Sequence, residues 1–290
     1  MEAFYEVGGR WDLLFTSLCV NTSEAVTQAY KIVTKTTDKF GVLSFSDRLE
    51  HLPMWAYYAS NFGGMCLKFD TDRLPLGDLQ NESLSEVTYA TDPLPPLGIE
   101  HFLSPDIKHA LIPRFTRKRV EWAHEHEWRY LTGATGPKHY IDDALIDVYL
   151  GPRTEPEHAS RVCDTLKDRP TRVHQGRIQG YTLTFDKLQK AASPSESNRT
   201  GEGRFIEPLD PHIVDELSDY LDVPLASYIS IGRDLAKRPN AETVEAMGLS
   251  RFYEAALLMT TYRLRNGRRI YSKTYLDSRL QELRMPPKSS

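Results

Sequence analysis

The sequence predicts an α+β fold in which a central split β-sheet is followed by a helical C-terminal region. Between about residues 41 and 189, short runs rich in branched and aromatic residues alternate with amphipathic helical stretches. Residues 190–204 (KAASPSESNRTGEGR) contain no aromatic or branched aliphatic residue and are typical of a linker. After the linker, apolar residues recur at helical spacing. We therefore predict an α+β domain over 1–189, a linker over 190–204 and a helical region over 205–290.

Composition indicates an ordinary soluble globular protein. The chain is 40% hydrophobic and 26% charged, and its net charge of -4 argues against a bulk attraction to nucleic acid, though not against a local basic patch. No apolar run is long enough to cross a bilayer, and the N-terminus lacks the pattern of a secretory signal. These features predict a cytoplasmic protein without a membrane partner. Cys19, Cys66 and Cys163 are predicted to be free thiols.

The first readable strand spans residues 41–47 (GVLSFSD). On a strand Ser44 and Ser46 share a face, where they either cap backbone groups or bind a ligand. Ser46 or Asp47 suits the N-cap of a following helix that continues to Ala59. Gly63 and Gly64 predict its left-handed end, and a strand follows over residues 65–69.

The remaining elements are predicted from local periodicity. A strand is expected at residues 86–90 and a helix from Ile107 to about Trp122, whose basic cluster of Arg114, Arg117, Lys118 and Arg119 either forms a solvated face or holds a phosphate. Further elements are a strand at 145–150, a helix at 155–168, strands at 171–177 and 181–185, and C-terminal helices that include 242–264.

Glu125 and Glu127 stand two residues apart, at the start of a run whose aromatic and apolar content suits a strand. Residues i and i+2 of a strand share a face, so two carboxylates converge if the segment is extended. The pKa values of two close carboxylates are pushed apart, which lets one stay ionised while the other handles a proton. Such a pair suits chemistry at a glycosidic bond, where positive charge develops on the sugar. Equally, Glu127 and Arg129 could form an ordinary ion pair on a solvated strand edge.

Six short motifs lie between residues 41 and 152. They are GVLSFS, Met54-Trp55-x-x-Tyr58, Gly64-x-x-Leu67-x-Phe69, Val87-x-Tyr89, Lys118-x-x-x-Trp122-x-x-Glu125-x-Glu127-Trp128-Arg129, and Val148-x-Leu150-Gly151-Pro152. In combination they resemble a widespread bacterial family known only as a domain of unknown function. The resemblance covers about residues 38–188, and by itself it implies no activity.

The order of these motifs is also similar, more distantly, to the ADP-ribosyltransferases. Those enzymes share a Ser-x-Ser strand, a helix, an apolar strand and a later Glu-x-Glu that enters a strand. The resemblance implies a split sheet of their type and NAD as the substrate. It also implies that Ser44 and Ser46 brace the NAD pocket and that Trp55 or Tyr58 stacks on nicotinamide.

In the same resemblance, Glu127 is the catalytic residue and hydrogen-bonds the nicotinamide-side ribose. Glu125 orients the acceptor, a role associated with arginine modification. Those enzymes also use an Arg or His on an early strand, for which Arg10 is the candidate, although a surface arginine after a glycine turn has the same pattern. The family members carry a longer N-terminal segment, so this copy is expected to be shortened, degenerate, or completed by a partner chain or homo-oligomer.

Three functional hypotheses follow. The first is an NAD-consuming transferase, a toxin or phage-defence effector that acts on a protein or nucleic acid. The second is a non-enzymatic module that binds a protein or nucleic acid and has a degenerate pocket. The third is a metal-dependent hydrolase that uses His124, His126 and nearby carboxylates, for which the sequence identifies no third ligand.

Overall fold

The chain forms two compact units. The computed structural model describes residues 31, 41–74, 83–95, 107–132, 135–193, 196–197, 202–208, 210–250, 253–264 and 266–283. The first unit takes in 1–49 and 78–137, and the second 50–77 and 138–290. Arg10 and Cys19 lie outside the described residues. Cys66 and Cys163 are free thiols, as predicted.

The first unit is built around a three-stranded antiparallel sheet. Its strands are β1 (Gly41–Ser46), β3 (Ser83–Glu86) and β6 (Glu127–Thr132), and β6 lies in the centre of the order β1-β6-β3. The pairing of β1 with β6 places Ser46 opposite Glu127 and Ser44 opposite Arg129. The two serines therefore share a face with Glu127 and Arg129, as the alternation of the strand predicts.

A second, two-stranded sheet of this unit pairs β4 (Thr88–Ala90) with β5 (Arg117–Arg119) in parallel. The predicted strand at 86–90 is thus divided between β3 and β4. The predicted helix over 107–122 is wrong beyond its first half, because the helix spans only Ile107–Phe115 and contains Pro113. Proline removes a backbone donor and clashes with the preceding turn, so the helix ends two residues later.

The segment between β5 and β6 also differs from expectation. Residues Val120–Glu125 form a 3-10 helix that ends at His126, whose φ is 47°. A left-handed residue other than glycine is uncommon and reverses the chain locally. Glu125 therefore lies before the turn and Glu127 after it, so the two are not neighbours on one extended strand.

The second unit contains a four-stranded sheet of order β2-β7-β8-β9. Its strands are β2 (Met65–Phe69), β7 (Leu145–Leu150), β8 (Arg172–Gln179) and β9 (Thr182–Gln189), and a helix spans Pro156–Leu166. These elements confirm the predicted ones, with longer strands at 172–179 and 182–189. Val148, Leu150 and Val173 pack with the helix residues Val162 and Leu166 in the core of one face.

The helix that precedes β2 begins later than predicted. It spans Leu52–Tyr58, and its N-cap is His51 rather than Ser46 or Asp47. Pro53 lies in the first turn, where the missing backbone donor has no cost. The left-handed residues after it are Ser60, Asn61 and Phe62 instead of the two glycines. Gly64 is required by space, because a Cβ there would lie 2.9 Å from the Ala59 carbonyl carbon.

The C-terminal part of the second unit is only partly helical, which corrects the prediction for 205–290. Helices at Pro211–Tyr220 and Leu225–Ala236 are followed by four described strands, which form one sheet with the preceding strand β10 in the order β10-β11-β12-β13-β14. These strands are β10 (Arg204–Ile206), β11 (Ala241–Leu249), β12 (Ala256–Arg263), β13 (Arg269–Leu276) and β14 (Glu282–Leu283). The two helices pack on one face of this sheet.

The strand pair β11–β12 was predicted as helix because its Ala, Met and Leu residues favour helices in isolation. In the protein, Val244 on β11 and Leu258 on β12 are fully buried, so tertiary packing overrides the helix preference of these residues.

The α+β class is confirmed. Within the described residues, no helix is long and apolar enough to span a membrane.

Candidate functional site

The first unit brings together four of the predicted site residues: Ser44, Ser46, Glu125 and Glu127. The Ser44 side chain hydrogen-bonds Glu127. The Ser46 hydroxyl donates to the backbone carbonyl of Glu125 at 2.7 Å. The serines on β1 therefore hold both the left-handed turn and the carboxylate that follows it.

Lys118 links the two carboxylates. Its Nζ lies 2.7 Å from Glu125 Oε2 and 3.5 Å from Glu127 Oε2. The same ammonium group lies 4.9 Å from the centre of the Trp122 ring, in cation–π contact. Lys118 reaches this position because β5 pairs with β4, where it stands beside Tyr89. One ammonium group thus separates two carboxylates that would otherwise repel each other.

Arg129 fixes Glu127 from the other side. Its Nε donates to Glu127 Oε1 at 2.8 Å and its Nη2 donates to Oε2 at 3.0 Å. The third nitrogen, Nη1, donates to the carbonyl of Phe115 at 2.6 Å, at the C-terminus of the helix Ile107–Phe115. This bidentate pair sets the plane of the Glu127 carboxylate.

The Glu127 carboxyl is held in its ionised form. Burial raises the pKa of Glu127, but hydrogen bonds from Arg129 and Ser44 and the charges of Arg129 and Lys118 outweigh it, and its pKa is lowered. The backbone N–H of Glu127 donates to the Tyr89 hydroxyl at 2.8 Å. Burial, and then the Glu127 and Glu125 charges, raise the pKa of Tyr89. Tyr89 therefore stays neutral beside the ionised Glu127.

Most of this site is closed to solvent. The side chains of Glu125 and Glu127 are 3% and 6% exposed, and those of Lys118 and Arg129 are 6% and 4% exposed. Ser44, by contrast, is exposed. Glu127 and Arg129 therefore do form the predicted ion pair. The pair is buried on a central strand, however, and not solvated on a strand edge.

Most of the site lies in a stretch of the chain that matches a known family, and Ser44 and Ser46 lie before that stretch. Residues 54–130 match a family described as "Protein of unknown function (DUF2971)". The predicted resemblance to a family of unknown function is confirmed for this stretch. No curated protein and no solved structure matches the chain, so the resemblance to ADP-ribosyltransferases stays a prediction.

One motif inside the DUF2971 match supplies nearly the whole ion-pair network. Lys118, Trp122, Glu125, Glu127 and Arg129 all belong to it, although they come from a strand, a 3-10 helix and a second strand. The sequence predicts the Glu127–Arg129 pair as one alternative, but it places Lys118 in a basic helix rather than between the two acids. The sequence signal for the roles of Lys118 and Arg129 was that they share one motif with the two acids.

The two predicted stacking residues lie in the second unit. Trp55 is 3% exposed and its ring packs 5.6 Å from that of Phe185, so it is a core residue of that unit. Tyr58 is 58% exposed and its ring meets Tyr57 edge-on. Their predicted contact with nicotinamide, and the role of Arg10, stay predictions.

The two histidines of the metal hypothesis do not alternate on a strand. His124 belongs to the 3-10 helix, and its Nδ1 lies 3.0 Å from the Glu121 carbonyl. His126 occupies the left-handed turn, and its Nδ1 lies 3.9 Å from Asp47 Oδ1. Among the described residues, no group of three or more potential ligands is placed to hold a metal ion.

Proposed function

We propose that the chain is an NAD-dependent ADP-ribosyltransferase-like protein, with a split sheet of that type and a protein or nucleic acid as acceptor. The observation that supports this proposal is the contact of Ser44 with Glu127 and of Ser46 with Glu125 in one cluster. The resemblance assigns NAD-pocket and catalytic roles to these positions. A role as a toxin or phage-defence effector belongs to the same proposal.

The chemistry would proceed at the glycosidic bond between nicotinamide and ribose. Nicotinamide leaves with the bonding electron pair, positive charge develops on the ribose, and the acceptor nucleophile then attacks and loses its proton. An ionised Glu127 beside the ribose stabilises that charge, and its lowered pKa keeps it ionised at neutral pH. Glu125 then orients the acceptor.

Substrate binding would displace one existing contact. Lys118 lies closer to Glu125 than to Glu127, so its 3.5 Å contact with Glu127 is the weaker of the two. A ribose hydroxyl that donates to Glu127 Oε2 would replace this contact, while Arg129 keeps the carboxylate in position. The exposed Ser44 marks the side from which the sugar would approach.

The test is nicotinamide release from labelled NAD, with and without a cell lysate that supplies acceptors. The Glu127→Gln variant should lose at least about 100-fold in rate, because it lacks the charge that stabilises the transition state. Glu121→Gln is the matched control, since Glu121 pairs with Arg119 at the surface outside this cluster. Absence of both nicotinamide release and label transfer in the wild type would refute the proposal.

The burial of the ion pairs favours a second candidate, a non-enzymatic module that binds a protein or nucleic acid. Each carboxylate already has a cationic partner, and all four charged side chains are nearly inaccessible. In this case the network only stabilises the first unit. A stoichiometric partner retained equally by wild type, Glu125→Gln and Glu127→Gln would support this candidate.

A further inference from the structure

A second charged cluster lies on one face of the four-stranded sheet in the second unit. The register places Lys68, Asp147 and Arg172 side by side on β2, β7 and β8. The next row on the same face contains Tyr149, His174 and Lys187. The opposite face carries the apolar core with Val148 and Val173. The cluster therefore lies on the face opposite this core, beside the aromatic packing of Tyr149, Phe185 and Trp55.

Asp147 is the centre of this cluster and is only 1% exposed. Arg172 donates to it in a bidentate manner, from Nε at 2.6 Å and from Nη2 at 2.8 Å. His174 Nε2 lies 2.7 Å from Asp147 Oδ1, and a carboxylate acceptor requires that this nitrogen carry the proton. Lys68 Nζ lies 3.9 Å from Oδ2. One buried acid thus orients Arg172 and His174 by hydrogen bonds, with Lys68 beside it in a long ion pair.

The ring of His174 is held from a second direction. It stacks on Tyr149, with ring centres 4.7 Å apart and planes 17° apart. Tyr149 in turn meets Phe185 edge-on, and Phe185 packs against Trp55. The imidazole orientation is therefore fixed by both hydrogen bonding and packing.

The basic side chains of this cluster are accessible to solvent, whereas Asp147 is buried. Lys68 and Arg172 are 54% and 45% exposed, and Lys187 is exposed as well. Lys68, Arg172 and Lys187 carry three positive charges against the one of Asp147. Asp147 uses only two of the three guanidinium nitrogens of Arg172, and in the described residues Nη1 has no hydrogen-bond partner. A buried carboxylate is costly, and here it serves to preorganise donors that face solvent.

We propose that Lys68, Arg172 and Lys187 form a binding site for the phosphate group of a small molecule, in which Asp147, itself hydrogen-bonded by His174, holds Arg172 in position. Guanidinium and ammonium groups supply the charge and the directed donors that a phosphate requires. The site lies entirely within the second unit and does not rest on the NAD chemistry proposed for Glu127.

The size and charge of the site favour a small phosphate over a nucleic acid. Lys68 on β2 and Arg172 on β8 are about 10 Å apart across the sheet, since adjacent strands lie roughly 4.8 Å apart, and Lys187 lies on the next strand, β9. Long basic side chains at these positions can meet on one phosphate or diphosphate. A polymer would need a longer basic track, and the chain as a whole has a net charge of -4. The ligand class is therefore a phosphomonoester or diphosphate.

The test is calorimetric titration of the full chain with inorganic phosphate and with pyrophosphate at fixed ionic strength. The Arg172→Gln variant should weaken pyrophosphate binding by at least about tenfold, because a charge-assisted donor is lost. Lys68→Gln should weaken it about threefold to tenfold, and it leaves the hydrogen bonds from Arg172 and His174 to Asp147 intact.

Arg177→Gln is the matched control, because Arg177 lies on the same strand, points to the opposite face and pairs with Asp186 at 2.8 Å. Its pyrophosphate affinity should equal that of the wild type. Equal affinities in all three variants and the wild type, or no measurable binding by the wild type, would overturn the proposal. Tighter binding of a short single-stranded oligonucleotide than of pyrophosphate, abolished by Arg172→Gln, would overturn the ligand class.

Discussion

Each unit contains a charged cluster with a buried carboxylate, but the exposure of the basic side chains differs between the two clusters. In the first unit, Lys118 and Arg129 are buried together with Glu125 and Glu127, and two negative charges meet two positive ones. In the second unit, Asp147 is buried but Arg172 and Lys68 are about half exposed.

This difference shows what each network can do. A fully buried network satisfies its own charges, and losing one partner leaves an uncompensated charge in a region of low dielectric. A network with exposed cations keeps donors for a ligand, and water can compensate for the loss of a partner. The first network is therefore tightly coupled to stability, and the second is open for binding.

The largest expected effect comes from Lys118→Met, which leaves two buried carboxylates without the cation between them. Its free energy of unfolding should fall by about 3–5 kcal/mol, as for other broken buried ion pairs. Chemical denaturation measures this change. Lys68→Met is the matched control and should shift stability by less than about 0.5 kcal/mol, because Lys68 is exposed and its ion pair is long. Equal losses in the two variants would remove the distinction between the units.

Asp147→Asn should have an intermediate effect. The substitution keeps the size of the side chain but removes the charge that Arg172 and His174 contact, and solvent can reach the released guanidinium. We expect a loss of about 1–3 kcal/mol in the free energy of unfolding. Asp186→Asn, at an exposed pair, should leave the denaturation midpoint unchanged. A loss for Asp147→Asn larger than that for Lys118→Met would reverse the ranking of the networks.

Acid should weaken both networks. The pKa values of Glu127 and Asp147 are lowered in the folded protein, because hydrogen bonds from Arg129 and Arg172 outweigh the opposing effect of burial. Their contribution to stability is fully present above the ordinary values of about 4.3 and 3.9, and it is lost as pH falls through the lowered folded values. Urea denaturation between about pH 6 and pH 3 should therefore show decreasing stability. A smaller pH dependence is expected for Glu127→Gln, and an unchanged one would contradict this account.

The smallest effect is expected for Glu121→Gln. Glu121 and Arg119 form an ion pair whose side chains are 58% and 62% exposed. Such pairs are screened by solvent, so thermal denaturation should show no measurable change in stability. A clear loss would mean that the exposed pair is coupled to the buried network beside it.

Local sequence patterns predicted the strands of the four-stranded sheet and the meeting of the acids, but not the route by which the acids meet. Residues 145–150 and 65–69 were recognisable because their apolar runs are bounded by turn residues. Glu125 and Glu127 converge as predicted, yet they do so through a 3-10 helix and the left-handed His126 rather than along one strand. No periodic pattern encodes such a turn.

The unpredicted parts depend on contacts between residues distant in sequence. Lys118 appeared to belong to a basic helix, but its strand pairs with Tyr89 across 29 positions of sequence. Residues 242–264 have helix-forming composition, and only the pairing of β12 with β11 and β13 produces the strands found there. The role of Asp147 was missed for the same reason, because Arg172 and His174 reach it from another strand.

A crystal structure of the full chain in complex with NAD would show directly whether Glu127 faces the ribose. We expect the nicotinamide-side ribose to lie within hydrogen-bond distance of Glu127, with Lys118 withdrawn to Glu125 and Arg129 unmoved. Lys118 still bridging both acids, with no NAD bound in the first unit at saturating concentration, would contradict this expectation.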